Sequence, residues 1–302
     1  MALQRLCGMD KLPFMMKNDA FVLESEKNEL RLGTHNLGNH YALLAPPFEK
    51  PAETLPKILA RSPGVCMEFK HGTTTLGFIY QGGIILCVDS RSTSGDFIGS
   101  QHMKKIIELN DYMLITMAGG AADCTYWDRV LAKECRMYEL RYGKRITVIS
   151  AANMLANTIH QYRDMGLSMG MMLAGFDGDI PKLIYLDSEG YLVDHTEFAV
   201  GSGSTLALGL LDTFFKWDMT DREAYDLACR SICNAAHRDA YSGGIVRLYH
   251  VTADGWKNIN NTDCCDLFEH FEKRKAESRA SIAAASESQS ETGSELPISI
   301  IS

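Results

Sequence analysis

Residues 71–75 read His-Gly-Thr-Thr-Thr, and the Gly72-Thr73 bond inside them is a place where chemistry can happen. Glycine has no side chain to shield its carbonyl and tolerates the strained backbone that would present it. The Thr73 hydroxyl is within reach of that carbonyl. If the bond breaks, Thr73 becomes an N-terminal residue with a hydroxyl and a free amine on adjacent carbons, a nucleophile carrying its own base. Three threonines also begin β-strands readily. These five residues do not by themselves separate the two readings; the residues that follow do.

Asp89 closes the apolar run Ile84-Ile85-Leu86-Cys87-Val88, and Lys105 opens Ile106-Ile107. Most acid–base pairs lie on surfaces and carry little energy. Apolar neighbours place these two at the ends of buried strands. A lysine held near an N-terminal amine lowers an amine pKa that starts near about 8, leaving a base suited to neutral pH. Asp89 could keep that lysine charged and oriented. Met117-Ala118-Gly119-Gly120 lies where a strand gives way to a helix, so its N–H groups could face a developing oxyanion, though a plain tight turn fits the same residues. Gly201-Ser202-Gly203-Ser204 also opens a helix but lacks the lysine of a phosphate loop. Arg238-Asp239-Ala240-Tyr241-Ser242-Gly243-Gly244 ends a helix and could serve only as its cap. The nine histidines are scattered and no G-x-S-x-G occurs, which leaves no Ser-His-Asp set.

The elements that must position these residues follow from periodicity. Strands are expected at 73–80 and 83–88 around a Gln81-Gly82 turn, then near 97–100, 105–109 and 112–117. Tyr126, Val130, Leu131, Cys135 and Tyr138 mark a helix ending near Gly143. Val148, Ala152, Leu155, Ile159 and Tyr162 form the stripe of a second. Strands return at 171–176 and 183–186. Helices follow at 204–216 and from the capping box Thr220-Asp221-Arg222-Glu223 to about Asp239. Strands at 245–251 and 256–259 close the body. Strands, two helices, strands, two helices, strands: this order indicates α+β with helices covering antiparallel sheets.

Six of the eight prolines fall in residues 1–72 (Pro13, Pro46, Pro47, Pro51, Pro56, Pro63), where apolar residues show no sustained period. That segment is expected to be an extended leader, a targeting piece or a removable pro-segment; its acids Glu24, Glu26 and Glu29 argue against a transit peptide. From Lys275 the chain turns Ser/Glu/Ala-rich and is expected to be a solvated, disordered tail. The 302 residues are 46% hydrophobic and 23% charged, with a net charge of −8. Such a balance gives no support for nucleic-acid or anionic-membrane binding, and no apolar run reaches the roughly 18 residues of a membrane span. Nine cysteines without a C-x-x-C pair suggest free thiols in a reducing compartment, cytosol or nucleus, and no zinc site.

Taken together, Gly72-Thr73-Thr74-Thr75, Asp89-Ser90-Arg91, Lys105, Thr116-Met117-Ala118-Gly119-Gly120, Gly201-Ser202-Gly203-Ser204 and Arg238 to Gly244 resemble the proteasome β subunits. The stretches 118–124 and 165–170 look like the chymotrypsin-like type, the fifth β position of the 20S core. The resemblance covers about His71 to Phe268. It implies an N-terminal-nucleophile hydrolase fold, a four-layer αββα sandwich of two antiparallel sheets. It implies three parts: 1–72 a propeptide removed by autocleavage at Gly72-Thr73, 73–268 the catalytic domain, and 269–302 the tail. Thr73 would be the nucleophile and its freed amine the base. Asp89 and Lys105 would be the supporting pair and the Gly119 N–H the oxyanion donor. Ser202, Asp239 and Ser242 would hold the amine and hydroxyl. Met117, with Ala121, Met103 and Thr93, would shape a pocket for large apolar side chains.

The resemblance further implies a threonine endopeptidase that needs no cofactor. It would act within stacked seven-membered rings of α and β subunits, in ATP- and ubiquitin-dependent degradation when capped. Its substrates would be unfolded polypeptides, its assembly would use chaperones, and it would reside in cytoplasm and nucleus. A non-catalytic ring subunit is the alternative, but inactive members lack the Gly-Thr junction or the lysine, and both are present. Ser92, Gly77, Gly99 and Met103 depart from the family pattern and bear on the pocket rather than the chemistry. The longer acidic tail fits a tissue-restricted paralogue.

Overall fold

The computed structural model describes residues 72–94 and 97–291, with the backbone alone at 94 and 282–291. The expected leader, up to His71, lies outside the described residues. Two five-stranded antiparallel sheets make up the centre. The first runs β10-β1-β2-β11-β12, built from β1 (Thr74–Tyr80), β2 (Gly83–Val88), β10 (Glu197–Gly201), β11 (Ile245–Thr252) and β12 (Gly255–Asp263). The second runs β5-β6-β7-β8-β9, from β5 (Ile106–Asn110), β6 (Met113–Gly119), β7 (Met169–Asp177), β8 (Ile180–Asp187) and β9 (Leu192–Asp194). A small hairpin, β3 (Ser92–Ser94) with β4 (Phe97–Ser100), projects beside them.

The apolar runs of β1 and β2 have a direct cause: both faces of these strands are covered. Ile79, Ile84, Leu86 and Val88 face the second sheet, meeting Leu114, Met172 and Leu183. Alternate residues Leu76, Phe78, Tyr80, Ile85 and Cys87 face helices α3 (Ser204–Phe214) and α4 (Asp221–Arg238). On the far side, α1 (Ala121–Tyr142) and α2 (Val148–His160) cover the second sheet through Trp127, Leu131, Leu155 and Ile159. The layers are therefore helices, sheet, sheet, helices, the α+β sandwich expected from the resemblance. Each fully buried Leu, Ile or Val contributes roughly 1.5–3 kcal/mol, so the inter-sheet layer is a large part of what fixes the sheets' spacing.

Local signals behave as their chemistry requires. The capping box forms: the Thr220 hydroxyl accepts from the Glu223 N–H, and the Glu223 carboxylate accepts from the Thr220 N–H at 2.8 Å. α1 starts at Ala121, a turn earlier than its expected apolar stripe, directly after its N-cap Gly120, which supplies no side-chain cap. β3, β9 and β10 were not expected from the sequence, being three to five residues long with little alternation. The tail expected from residue 269 is a correction. A fifth helix, α5, runs without a break over Cys264–Glu291. Its Ala, Glu, Lys and Arg residues favour helix even where they offer no apolar face. Its first turns are held by Leu267 and Phe271 against α4, and by an Arg274–Asp226 ion pair of 2.5 Å.

Asp128 on α1 is fully buried, and neither carboxylate oxygen has a hydrogen-bond partner. Burial alone pushes its carboxyl well above the usual carboxylate range. The folded state thus holds a proton that the unfolded state releases. The stability this gives is full below the unfolded pKa and is lost as pH rises through the folded one. Asp128→Asn removes the titration. Urea unfolding from pH 4 upward should show the wild type losing stability relative to the variant, by at most about 1.4 kcal/mol per pH unit. Parallel curves would mean that Asp128 is solvated or paired.

Candidate active site

Thr73 lies one residue before β1, between the ends of β10 and β2, and is almost completely buried. Its N–H donates to Ser202 Oγ at 3.2 Å, and the Gly72 N–H donates to Thr93 Oγ1 at 3.4 Å. The Thr73 carbonyl is so close to Gly201 that a Cβ there would sit 1.9 Å from its oxygen. Gly201 also has φ +112°, a region side chains disfavour. Only glycine fits the place where β10 hands Ser202 to Thr73.

Behind Thr73 lies a hydroxyl–carboxylate relay. Ser202 and Ser242 each donate to Asp239 Oδ2, at 2.6 and 2.7 Å. With its proton committed to Asp239, the Ser242 oxygen accepts from the Thr74 hydroxyl at 2.7 Å. Asp239 is the C-cap of α4, so the helix end sets the position of both serines' partner.

Beside Thr73 is a buried ion pair. Lys105 Nζ lies 2.6 Å from Asp89 Oδ1, and both side chains are almost fully enclosed. Asp89 also accepts from the N–H groups of Thr74 at 3.0 Å, Gly243 at 3.0 Å and Arg91 at 3.2 Å. Four donors on one carboxylate satisfy the condition under which a buried charge persists. Burial draws the Lys105 ammonium below the usual lysine range, and the attraction of Asp89 opposes this. The Met117 N–H donates to the Lys105 carbonyl at 2.9 Å, fixing the lysine against β6.

Thr73, Lys105 and Gly119 line one narrow cleft, together with Gly72. Thr93, Met103, Met117 and Ala121 line it too, so the residues expected to form a substrate pocket do share a wall with those expected to do chemistry. The cleft has about 20 Å³ of free volume, enough for one water-sized occupant. Gly119 has φ +107°, and a Cβ on it would meet the Ser168 carbonyl at 2.4 Å. Its N–H immediately precedes α1, where backbone dipoles favour negative charge. Ser202, Asp239, Ser242 and Asp89 do not line the cleft; they lie behind it, linked by hydrogen bonds to Thr73, Thr74 and Lys105.

Ser92, expected to bear on the pocket, also lines it, as does Arg91, which was given no role from the sequence. Arg91 donates to Gln101 Oε1 at 3.2 Å and to the Ala240 carbonyl at 2.9 Å, which clamps the loop carrying Asp239 and Ser242. Its place two residues after Asp89 was the available signal. Among the described residues, no group of three or more His, Cys, Asp or Glu side chains is placed to hold a metal ion.

An antiparallel αββα sandwich with a threonine at the entry of its first strand, beside a buried lysine, defines an N-terminal-nucleophile hydrolase. Residues 69–251 match the family described as proteasome subunit. The chain is 48% identical over 235 residues to the proteasome subunit beta type-5 of Dictyostelium discoideum, covering 76% of this chain and 86% of that one. It is 46% identical over 237 residues to the beta type-8 subunit of Rattus norvegicus, covering 76% and 86%. It is 52% identical over 201 residues to the beta type-5 subunit of Spinacia oleracea, covering 67% and 73%. The chain belongs to the proteasome subunit family. It is a catalytic β subunit of the chymotrypsin-like type, a threonine peptidase that assembles with other proteasome subunits.

Gly201→Ala should push Thr73 out of line and lower peptide turnover in the assembled particle at least tenfold, about 1.4 kcal/mol of transition-state stabilisation. Gly209→Ala, where no atom lies within 4 Å of the added methyl, is the matched control and should retain activity. Equal turnover by both variants would show that the close approach at Gly201 does not position Thr73.

Proposed function

We propose that this subunit is made as a precursor and cuts its own Gly72-Thr73 bond, then cleaves unfolded polypeptides after large apolar residues. The observation that carries this is the convergence of Thr73, Lys105 and Gly119 on one cleft while Gly72 is still joined to Thr73. In the precursor the Thr73 nitrogen is an amide and cannot take up a proton. Lys105, whose proton affinity burial has lowered, is the group that takes the hydroxyl proton. Thr73 Oγ bonds to the Gly72 carbonyl carbon, and the C–N bond breaks as the nitrogen gains a proton. Water then hydrolyses the resulting ester and releases residues 1–72.

In the mature enzyme the freed amine becomes the base. Lys105 as a neighbouring cation lowers the amine's proton affinity, and Ser202 and Asp239 hold it in place. Thr73 Oγ attacks the substrate carbonyl, and the oxyanion is met by the Gly119 N–H. The leaving amine departs with a proton, and water cleaves the acyl ester. Met117, Met103, Ala121 and Thr93 receive the side chain before the cut, their two thioethers giving an adaptable apolar lining. Stacked rings would shelter Thr73 in a chamber that only unfolded chains enter, with chaperones assisting assembly in cytoplasm and nucleus.

Intact mass of the subunit from native particles should correspond to a chain beginning at Thr73, with 302 − 72 = 230 residues. A subunit retaining residues 1–72 in active particles would overturn self-cleavage. With fluorogenic peptides, assembled particles should prefer Tyr or Leu over Arg or Asp before the reporter. Particles carrying Lys105→Ala should lose more than tenfold in turnover, whereas residual activity within tenfold means less than about 1.4 kcal/mol and removes Lys105 from the mechanism.

A further inference from the structure

The helix that carries Asp239 at its end also carries two thiols one turn apart, Cys229 and Cys233, and each meets a second cysteine. Cys229 and Cys87 on β2 hydrogen-bond side chain to side chain inside the core, at 7% and 0% exposure. Cys233 faces Cys264, the first residue of α5, with the sulfurs 3.9 Å apart. Here the surroundings differ. Cys264 is only partly buried, whereas Cys87 and Cys229 are both buried. The S–H of Cys264 donates to Cys233, which draws the Cys233 thiol below its usual range.

We propose that Cys233 and Cys264 are a dithiol modification site, oxidised by hydrogen peroxide to a disulfide that fastens α5 to α4. The balance closes. A thiolate sulfur attacks the peroxide O–O bond, one water leaves, and a sulfenic acid remains. The second sulfur displaces the sulfenic oxygen as a second water, forming the S–S bond. Two thiols and one peroxide give one disulfide and two waters. Closing the gap from 3.9 Å to a bond length of about 2.05 Å asks each sulfur to move about 1 Å, which side-chain rotation supplies.

The segments on both sides are already held against each other. The Cys264 N–H donates to the Gly244 carbonyl at 2.9 Å, anchoring the start of α5 beside the loop that supplies Gly243 to Asp89. Phe268 stacks on His237 of α4 with ring centroids 4.2 Å apart, and Leu267 packs into the same cluster. From Lys275 to Ser281 the helix is exposed, so its hold on the body there rests on these first turns. A disulfide at the first residue would limit fraying of exactly that segment's root; the neighbouring exposed Cys265 is the competing target.

The test uses the native particle, reduced with a phosphine and then treated with hydrogen peroxide. Peptide mapping without reduction should give a Cys233–Cys264 cross-link, lighter by two hydrogens and reversed by reductant. Deuterium exchange over 264–281 should slow on oxidation in wild type and in Cys265→Ser. It should not slow in Cys233→Ser or Cys264→Ser. Oxygen addition at Cys264 or Cys265 without a cross-link, a Cys264–Cys265 bond, or prior oxidation of Cys87–Cys229 would each overturn the site. A cross-link that leaves exchange unchanged would overturn the fastening of α5.

Discussion

Asp89 is the point on which the rest of the site depends. Its carboxylate is fully buried at the end of β2, and charge in that position survives only because four donors surround it. Each donor comes from a different part of the chain. Thr74 opens β1, Lys105 precedes β5 of the other sheet, Gly243 belongs to the loop after α4, and Arg91 leads into the β3–β4 hairpin. One carboxylate therefore fixes the relative position of both sheets at the one end where Thr73 emerges. Leaving either charge of such a buried pair alone typically costs roughly 3–5 kcal/mol, so the pair constrains the fold as well as the chemistry.

The glycines set the second constraint. Gly201 and Gly119 both adopt positive φ, and in both a side chain would strike a backbone carbonyl. One brings Ser202 against the Thr73 amide. The other turns β6 so that α1 begins at once behind the cleft. A close backbone approach is an inflexible device, since a backbone oxygen cannot rotate away as a side chain can. The precision of the cleft thus comes from main-chain packing on either side, with Met117 and Met103 as its adaptable wall.

Much of this was legible in the sequence because the signals were local. Asp89 and Lys105 stood at the edges of strongly apolar runs, and such edges are where strands meet their neighbours. The capping box at Thr220 follows from its four-residue motif, and the stripes of α1 and α2 from period. The stacking of the sheets did not follow from period; β1 and β2 are buried on both faces and so lose the alternation that would reveal a partner. The partners of Asp239 came from the resemblance and from no local signal. Ser202 and Ser242 are 37 and 3 residues away, and nothing local distinguishes a serine that donates to a distant carboxylate from one that faces water. The tail misled because low apolar content was read as lack of structure, whereas helix propensity does not require an apolar face once a few anchors such as Phe271 exist.

Under the proposed self-cleavage a single nitrogen would change character, and the surrounding charges suit both states. As an amide, the Thr73 nitrogen donates a hydrogen bond to Ser202, which passes its own proton toward Asp239. As an amine, the same atom can accept a proton from its own hydroxyl. Lys105 must then differ in role: a group able to receive a proton before the bond is cut, and a cation that holds down the amine's proton affinity afterwards. Burial and Asp89 pull the lysine in opposite directions, the first favouring the neutral form and the second the charged one. A lysine exposed to water would stay charged throughout, and one buried without Asp89 would stay neutral. Only the opposed arrangement leaves its proton movable, and that is the physical reason for the aspartate and the lysine to be buried together rather than merely paired.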